Sequence, residues 1–145
     1  MVPPLPFSYF GNVIQLISTT VTVGELLAAD ISSTASLLHH IISPINDGII
    51  RAELQRFNDH PSVMKLDKTV RGTVFIGSSP RFPMYDNDFG WGRPVRVRSG
   101  CGNKLDGKVS LYPAREAGGS VDLEISLLPP FMAALEADPQ FLFAV

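Results

Sequence analysis

Hydrophobic periodicity changes once along this chain, and that change limits the folds open to it. Before about residue 60, apolar residues recur near 3.6: Leu27, Ile31, Leu38 and Ile42 fall on one side of a helix. Beyond residue 70 the period drops to two. Val121, Leu123, Ile125 and Leu127 alternate with Asp122, Glu124 and Ser126, which predicts a strand with one buried face and one wet face. Further strands are predicted at residues 11–23, rich in Val, Ile and Thr, and at 73–76, 95–98 and 108–112. The turn pair Asp106-Gly107 precedes the last of these. A strand, two helices and then a run of strands reads as an α/β fold of the α+β kind. Its helices would pack on a mixed or largely antiparallel sheet.

Local signals refine the elements. Thr22-Val23-Gly24-Glu25 has the form of a capping box, with the hydroxyl and the carboxylate each reaching the other residue's N–H. Ser43-Pro44 suits the start of a second helix, Ser as N-cap and Pro at the first position, running to about Asn58. A short helix over 130–137 would bury Phe131, Met132 and Leu135. With no repeat and no linker, residues 1–145 read as one domain. At 45% apolar residues the chain has the composition for a core.

The net charge of −2 gives no electrostatic case for nucleic acid or an anionic membrane. Cys101 is the one cysteine, which excludes an internal disulfide and suits a reducing compartment. No apolar run approaches the ~20 residues of a membrane span. The opening Met1-Val2-Pro3-Pro4-Leu5-Pro6 lacks the basic region of a signal peptide. The expected location is cytoplasmic.

The most specific motif is Asp88-Phe89-Gly90-Trp91-Gly92, which holds the single Trp. It resembles the C-terminal signature of the BAHD acyl-CoA-dependent acyltransferases. The lead Pro3-Pro4-Leu5-Pro6-Phe7-Ser8-Tyr9-Phe10-Gly11-Asn12 and the loop Ser78-Ser79-Pro80-Arg81-Phe82-Pro83-Met84-Tyr85 resemble that family too. So do Asn103-Lys104-Leu105-Asp106-Gly107-Lys108, Gly118-Gly119-Ser120-Val121-Asp122-Leu123-Glu124 and Met132-Ala133-Ala134-Leu135-Glu136-Ala137-Asp138, all in the expected order. Ser78-Ser79-Pro80-Arg81-Phe82 is similar to a poorly characterised plant branch of the family.

The resemblance implies an intact enzyme of two chloramphenicol-acetyltransferase-like domains with a tunnel between them. Acyl-CoA is the co-substrate, no cofactor stays bound, and the acceptor is the hydroxyl or amine of a small molecule. The catalytic base is the His of a His-x-x-x-Asp signature, which does not occur in these residues. The expectation is therefore the C-terminal portion of an acyltransferase, inactive alone, whose partner is the N-terminal acyltransferase domain. The alternative is a non-catalytic truncated paralogue that acts as an interaction or CoA-binding protein.

By the same resemblance, Asn12, Ser78, Ser79 and Arg81 are candidates for the acyl-CoA or acceptor pocket. Asn12 can equally form a turn, and Arg81 can anchor its loop rather than face a ligand. The motif Asp88, Phe89, Gly90, Trp91 and Gly92 is expected to be structural, its aromatics packed in the core and Asp88 accepting backbone N–H bonds or pairing with Arg81 or Arg93. No residue of this chain is expected to be catalytic. His39-His40 followed by Asp47-Gly48 imitates the missing signature, but its Asp lies seven positions after His40 instead of four, with Pro44 between. Arg96 and Arg98 on one strand face, near Lys104 and Lys108, would suit CoA phosphates or simply a solvated face. The three His and one Cys lack zinc spacing, so no metal is expected.

Overall fold

The computed structural model describes residues 2–6, 8–62, 72–77, 79–102, 104–115 and 119–144. The chain falls into two compact units, Met1–Lys65 and Leu66–Val145.

The first unit holds helices α1 (Val23–Ala28), α2 (Ile31–Ile42) and α3 (Asp47–Asp59), each opened by a side-chain cap. The Thr22 hydroxyl accepts from the Glu25 N–H at 3.2 Å, and the Glu25 carboxylate accepts from the Thr22 N–H at 2.9 Å. This is the expected capping box. The single helix expected after it is two helices. Ala29 is extended, and Asp30 caps afresh by accepting from the Ser33 N–H at 2.6 Å. Ser43 likewise ends α2 rather than starting α3. Its backbone is helical and its N–H bonds the His39 carbonyl, whereas an N-cap needs extended backbone. Asn46 takes that place, accepting from the Ile49 N–H at 3.2 Å.

Residues 11–22 are not the expected strand. A strand is stable only when its N–H and C=O groups meet a partner ladder, and no described residue of this unit supplies one. No residue of the three helices is buried. Leu27 and Ile31, expected on one side of a single helix, are 81% and 88% exposed.

The second unit is built on a three-stranded mixed sheet in the order β1 (Phe75–Gly77), β2 (Lys108–Pro113), β3 (Val121–Ser126). β1 runs parallel to β2 with Phe75 opposite Lys108, and β2 runs antiparallel to β3 with Tyr112 opposite Asp122. Asp106-Gly107 makes the expected turn, with Gly107 at φ +79°. Helix α4 (Pro129–Glu136) matches the expected closing helix, and α5 (Pro139–Ala144) is an addition to it. Phe131 on α4 is 57% exposed rather than buried. Residues 95–98 form no strand, because their alternating Val and Arg find no ladder among the described residues.

The alternation of β3 is present; its apolar residues Val121, Leu123 and Ile125 line an open cavity with Met132 and Leu135 of α4, while its polar face is the more enclosed. Tyr112 and Ser110, the two buried residues of β2 that anchor the unit, stand opposite Asp122 and Glu124. The polar side of β3 therefore faces the more enclosed layer. Val121 and Leu123, on the apolar side, are each 41% exposed. The reason is a cross-link over the polar side. The Glu124 carboxylate pairs with the Lys104 ammonium and accepts from the Ser99 hydroxyl and, at 3.2 Å, from the Ser99 N–H.

These contacts hold the Glu124 carboxyl down to about 2, the bond from Lys104 contributing most. A depressed carboxylate stabilises the fold above its unfolded value near 4.3 and loses that contribution as pH falls through about 2. Thermal melts of Glu124→Gln and the parent should thus differ at pH 6 and converge toward pH 2. A constant difference across that range would show that the charge contributes nothing.

Candidate functional site

The candidate residues fall in both units. Asn12 lies in the irregular stretch before α1 and is exposed. Ser78 lies outside the described residues. Ser79 and Arg81 follow the C-terminal end of β1, the end of a parallel strand at which α/β sheets usually present ligand-binding loops. The loop folds on itself: the Ser79 hydroxyl accepts from the Arg81 N–H at 3.2 Å, and the Ser79 carbonyl from the Phe82 N–H at 3.4 Å. The backbone of Arg81 thus anchors the turn. Its side chain is exposed and makes no ion pair among the described residues.

The motif that follows is shaped by Asp88. One carboxylate oxygen accepts from the Gly90 N–H at 2.8 Å and the Gly92 N–H at 3.0 Å. Both glycines sit in the left-handed region, at φ +95° and +94°, which an L side chain reaches only with strain. Arg93 pairs at 3.6 Å with Asp86, not with Asp88. The loop conformation is therefore specified locally.

Its aromatics are not core residues of this chain. Phe89 is 84% and Trp91 94% exposed. The sequence identifies them as packing residues by type, but the surface they would pack on is not among the described residues. Trp91→Ala should accordingly shift the stability of this chain by no more than about 0.5 kcal/mol in a urea melt, as at an ordinary surface position. A loss of roughly 3–5 kcal/mol, the cost of an emptied core site, would overturn that placement.

The histidines do not assemble a base. His39 and His40 lie exposed on α2 with ring centroids 6.4 Å apart, and His40 Nδ1 sits 2.7 Å from the Ser36 carbonyl. Asp47, the carboxylate of the imitation signature, is engaged elsewhere. It accepts from Arg51 Nε at 2.7 Å and the Val2 N–H at 2.8 Å, contacts that lower its pKa. His60 closes α3 as its C-cap. Among the described residues no three His, Cys, Asp or Glu side chains converge on a metal site.

Nor do Arg96 and Arg98 share a strand face, since residues 95–98 form no strand. Arg96 and Arg98 lie on the unpaired stretch, Lys104 is bonded to Glu124, and Lys108 belongs to β2. The Ser99, Lys104 and Glu124 cluster escapes a reading by periodicity, which assigns Glu124 to water. Its sequence signal is an acid at mid-strand and a lysine shortly before the Asp106-Gly107 turn.

Comparison with known proteins places these features in a family. The transferase family model matches residues 1–142. The chain is 36% identical over 142 residues to BAHD acyltransferase DCR of Arabidopsis thaliana, covering 98% of this chain and 29% of that protein. It is 34% identical over 143 residues to an uncharacterized acetyltransferase of Arabidopsis thaliana, covering 97% and 32%. It is 32% identical over 131 residues to anthranilate N-benzoyltransferase protein 1 of Dianthus caryophyllus, covering 86% and 29%. The chain spans about three tenths of the length of these curated relatives. No described helix is long and apolar enough to cross a membrane.

Proposed function

Because the chain belongs to the transferase family, that of the BAHD acyltransferases, we propose that it forms the C-terminal portion of a cytoplasmic acyltransferase. That enzyme transfers an acyl group from acyl-CoA to a hydroxyl or amine of a small molecule. The reading rests on one observation above the others. A family match over residues 1–142 coincides with apolar surfaces that this chain leaves open, from Leu27 and Ile31 to Phe89 and Trp91. The N-terminal domain of the same enzyme is the cover we propose for them. No nucleic acid or membrane takes part, and no cofactor beyond the co-substrate.

In that enzyme the chemistry needs a base to take the acceptor proton as the acceptor oxygen or nitrogen attacks the thioester carbonyl. The tetrahedral oxyanion then collapses, breaking the carbon–sulfur bond, and the departing thiolate takes up a proton. The base belongs to a His-x-x-x-Asp signature outside these residues. This chain contributes the wall of the tunnel. We assign the loop after β1, with Ser78, Ser79 and Arg81, to the acceptor side and the amide of Asn12 to the acyl-CoA side. The motif Asp88 to Gly92 keeps a structural role, in a chain chloramphenicol-acetyltransferase-like in fold and similar to the branch with Ser78-Ser79-Pro80-Arg81-Phe82.

One feature fits a second reading, a non-catalytic paralogue that binds CoA or another protein: the loop held by Asp88 displays two aromatic side chains without needing a further domain to shape it. The two are separated by the intact mass of the protein captured from its source tissue with an antibody to the Asp88 loop. A much larger species with a His-x-x-x-Asp peptide supports the enzyme. A species near 15.8 kDa supports the paralogue.

A further inference from the structure

Three hydrogen bonds in the first unit close a network between residues far apart in sequence. Asp47 and Arg51 stand one turn apart on α3 and pair through Arg51 Nε and Asp47 Oδ2 at 2.7 Å. The other oxygen of Asp47 accepts from the backbone N–H of Val2 at 2.8 Å, and Arg51 Nη2 donates to the backbone carbonyl of Val2. Both main-chain groups of one residue are thus held by a matched acid and base, each of which also orients the other. The Val2 side chain is not used, and it is 70% exposed.

Such an arrangement reads backbone rather than side chain. Arginine suits it because its planar fork can bond the carbonyl and the carboxylate at once. The residues just after Val2 make the grip consequential. Pro3, Pro4 and Pro6 have fixed φ and no N–H, so this stretch is a stiff spacer that forms no ladder of its own. The lead continues to Tyr9, whose N–H turns back to the Pro6 carbonyl at 2.9 Å, and then to Asn12. A hold at Val2 is transmitted along a stiff lead more effectively than along a flexible one.

We infer that Asp47 and Arg51 form a main-chain clamp that straps the proline-rich lead to α3 and sets the direction in which the chain leaves toward Asn12. On the reading of Asn12 proposed above, they are positioning residues; the strap itself does not depend on that reading. Asp47 and Arg51 are 26% and 53% exposed in their side chains, so the clamp is an openable device rather than part of a core.

The test is limited proteolysis of the full chain by chymotrypsin, comparing cleavage after Tyr9 and Phe10 with cleavage after Trp91 in the other unit as the internal reference. Arg51→Ala and Asp47→Asn should each raise that ratio about three- to tenfold, the effect of losing one charge-assisted bond on a local opening equilibrium. Arg56→Ala controls for the helix. Arg56 lies on α3 as well but, among the described residues, pairs only with Glu53, at 2.6 Å, and its loss should leave the ratio unchanged. An unchanged ratio in Arg51→Ala overturns the clamp. So does an equal rise in Arg56→Ala, which would trace the effect to a loosened helix.

Discussion

Gly107→Ala is expected to cost about 2–5 kcal/mol and to detach β1 from the sheet. Two penalties combine. At φ +79° an L residue loses roughly 1–2 kcal/mol relative to glycine. In addition, a Cβ built on Gly107 would lie 1.9 Å from the Thr73 carbonyl oxygen, well inside any tolerated contact. That oxygen belongs to backbone, so no side-chain rotation relieves the overlap. Relief requires the segment leading into β1 to move away from the turn, and overpacking of this kind costs roughly 1–3 kcal/mol.

Moving it breaks the bond from the Phe75 N–H to the Gly107 carbonyl, 2.9 Å long, at the point where the parallel ladder begins. Gly90→Ala is the matched control. Its φ is +95°, but its Cβ would meet nothing within 4 Å, so only the conformational term applies. Urea melts of the two variants, with amide exchange at Ile76 and Gly77, measure the difference. Equal losses at Gly90 and Gly107 would show that the turn and the strand do not approach as described. The loop carrying Ser79 and Arg81 hangs from β1, so the same variant should also disorder one side of the proposed acceptor pocket.

The parts of this fold legible in the sequence are those fixed by neighbours a few residues apart. The capping box at Thr22 and Glu25 needs only its own first turn. The Asp106-Gly107 turn needs a glycine where φ is positive. The stretch around Lys108 and the alternation from Val121 predict strands, and both are strands. The failures depend on partners that local pattern does not contain. Residues 11–22 and 95–98 have strand composition, but a strand is a relation between two segments, and their ladders are absent among the described residues. Asp30 outcompeted a continuous helix because its short carboxylate reaches the Ser33 N–H.

β3 is the more instructive case. Alternation correctly predicts two unlike faces. It assigns the apolar one inward only as far as something covers that face, and in this chain the Lys104 and Ser99 contacts enclose the other more. Trp91 follows the same logic, since residue type predicts a need for burial without providing the cover. In the site, the turn bonds of Ser79 and Asp88 were within reach of sequence reasoning, as Ser and Asp habitually bond N–H groups two residues on. The clamp on Val2 was not, because 45 and 49 residues separate its halves.

Given acyl-CoA and an alcohol or amine acceptor, the 145-residue chain should release free thiol no faster than buffer does. Two losses act together. A positioned general base contributes about 10²–10⁴ to the rate, and the described histidines assemble none: His39 and His40 are exposed on a helix surface, and Asp47 is occupied by Arg51 and the Val2 N–H. Holding donor and acceptor together can be worth an effective molarity of about 10⁵–10⁸ M, and on the function proposed above this chain supplies only one wall of the site. Against a median enzyme turnover of about 10 s⁻¹, loss of the base alone leaves roughly 0.1 s⁻¹ or less. The decisive comparison is thiol release by the parent chain and by a His39→Ala, His40→Ala double variant, across several acyl donors. Background release in both agrees with a catalytic centre outside these residues. Release above buffer that falls in the double variant would place a working base on α2, and the proposal that this chain supplies only a wall of the site would be wrong.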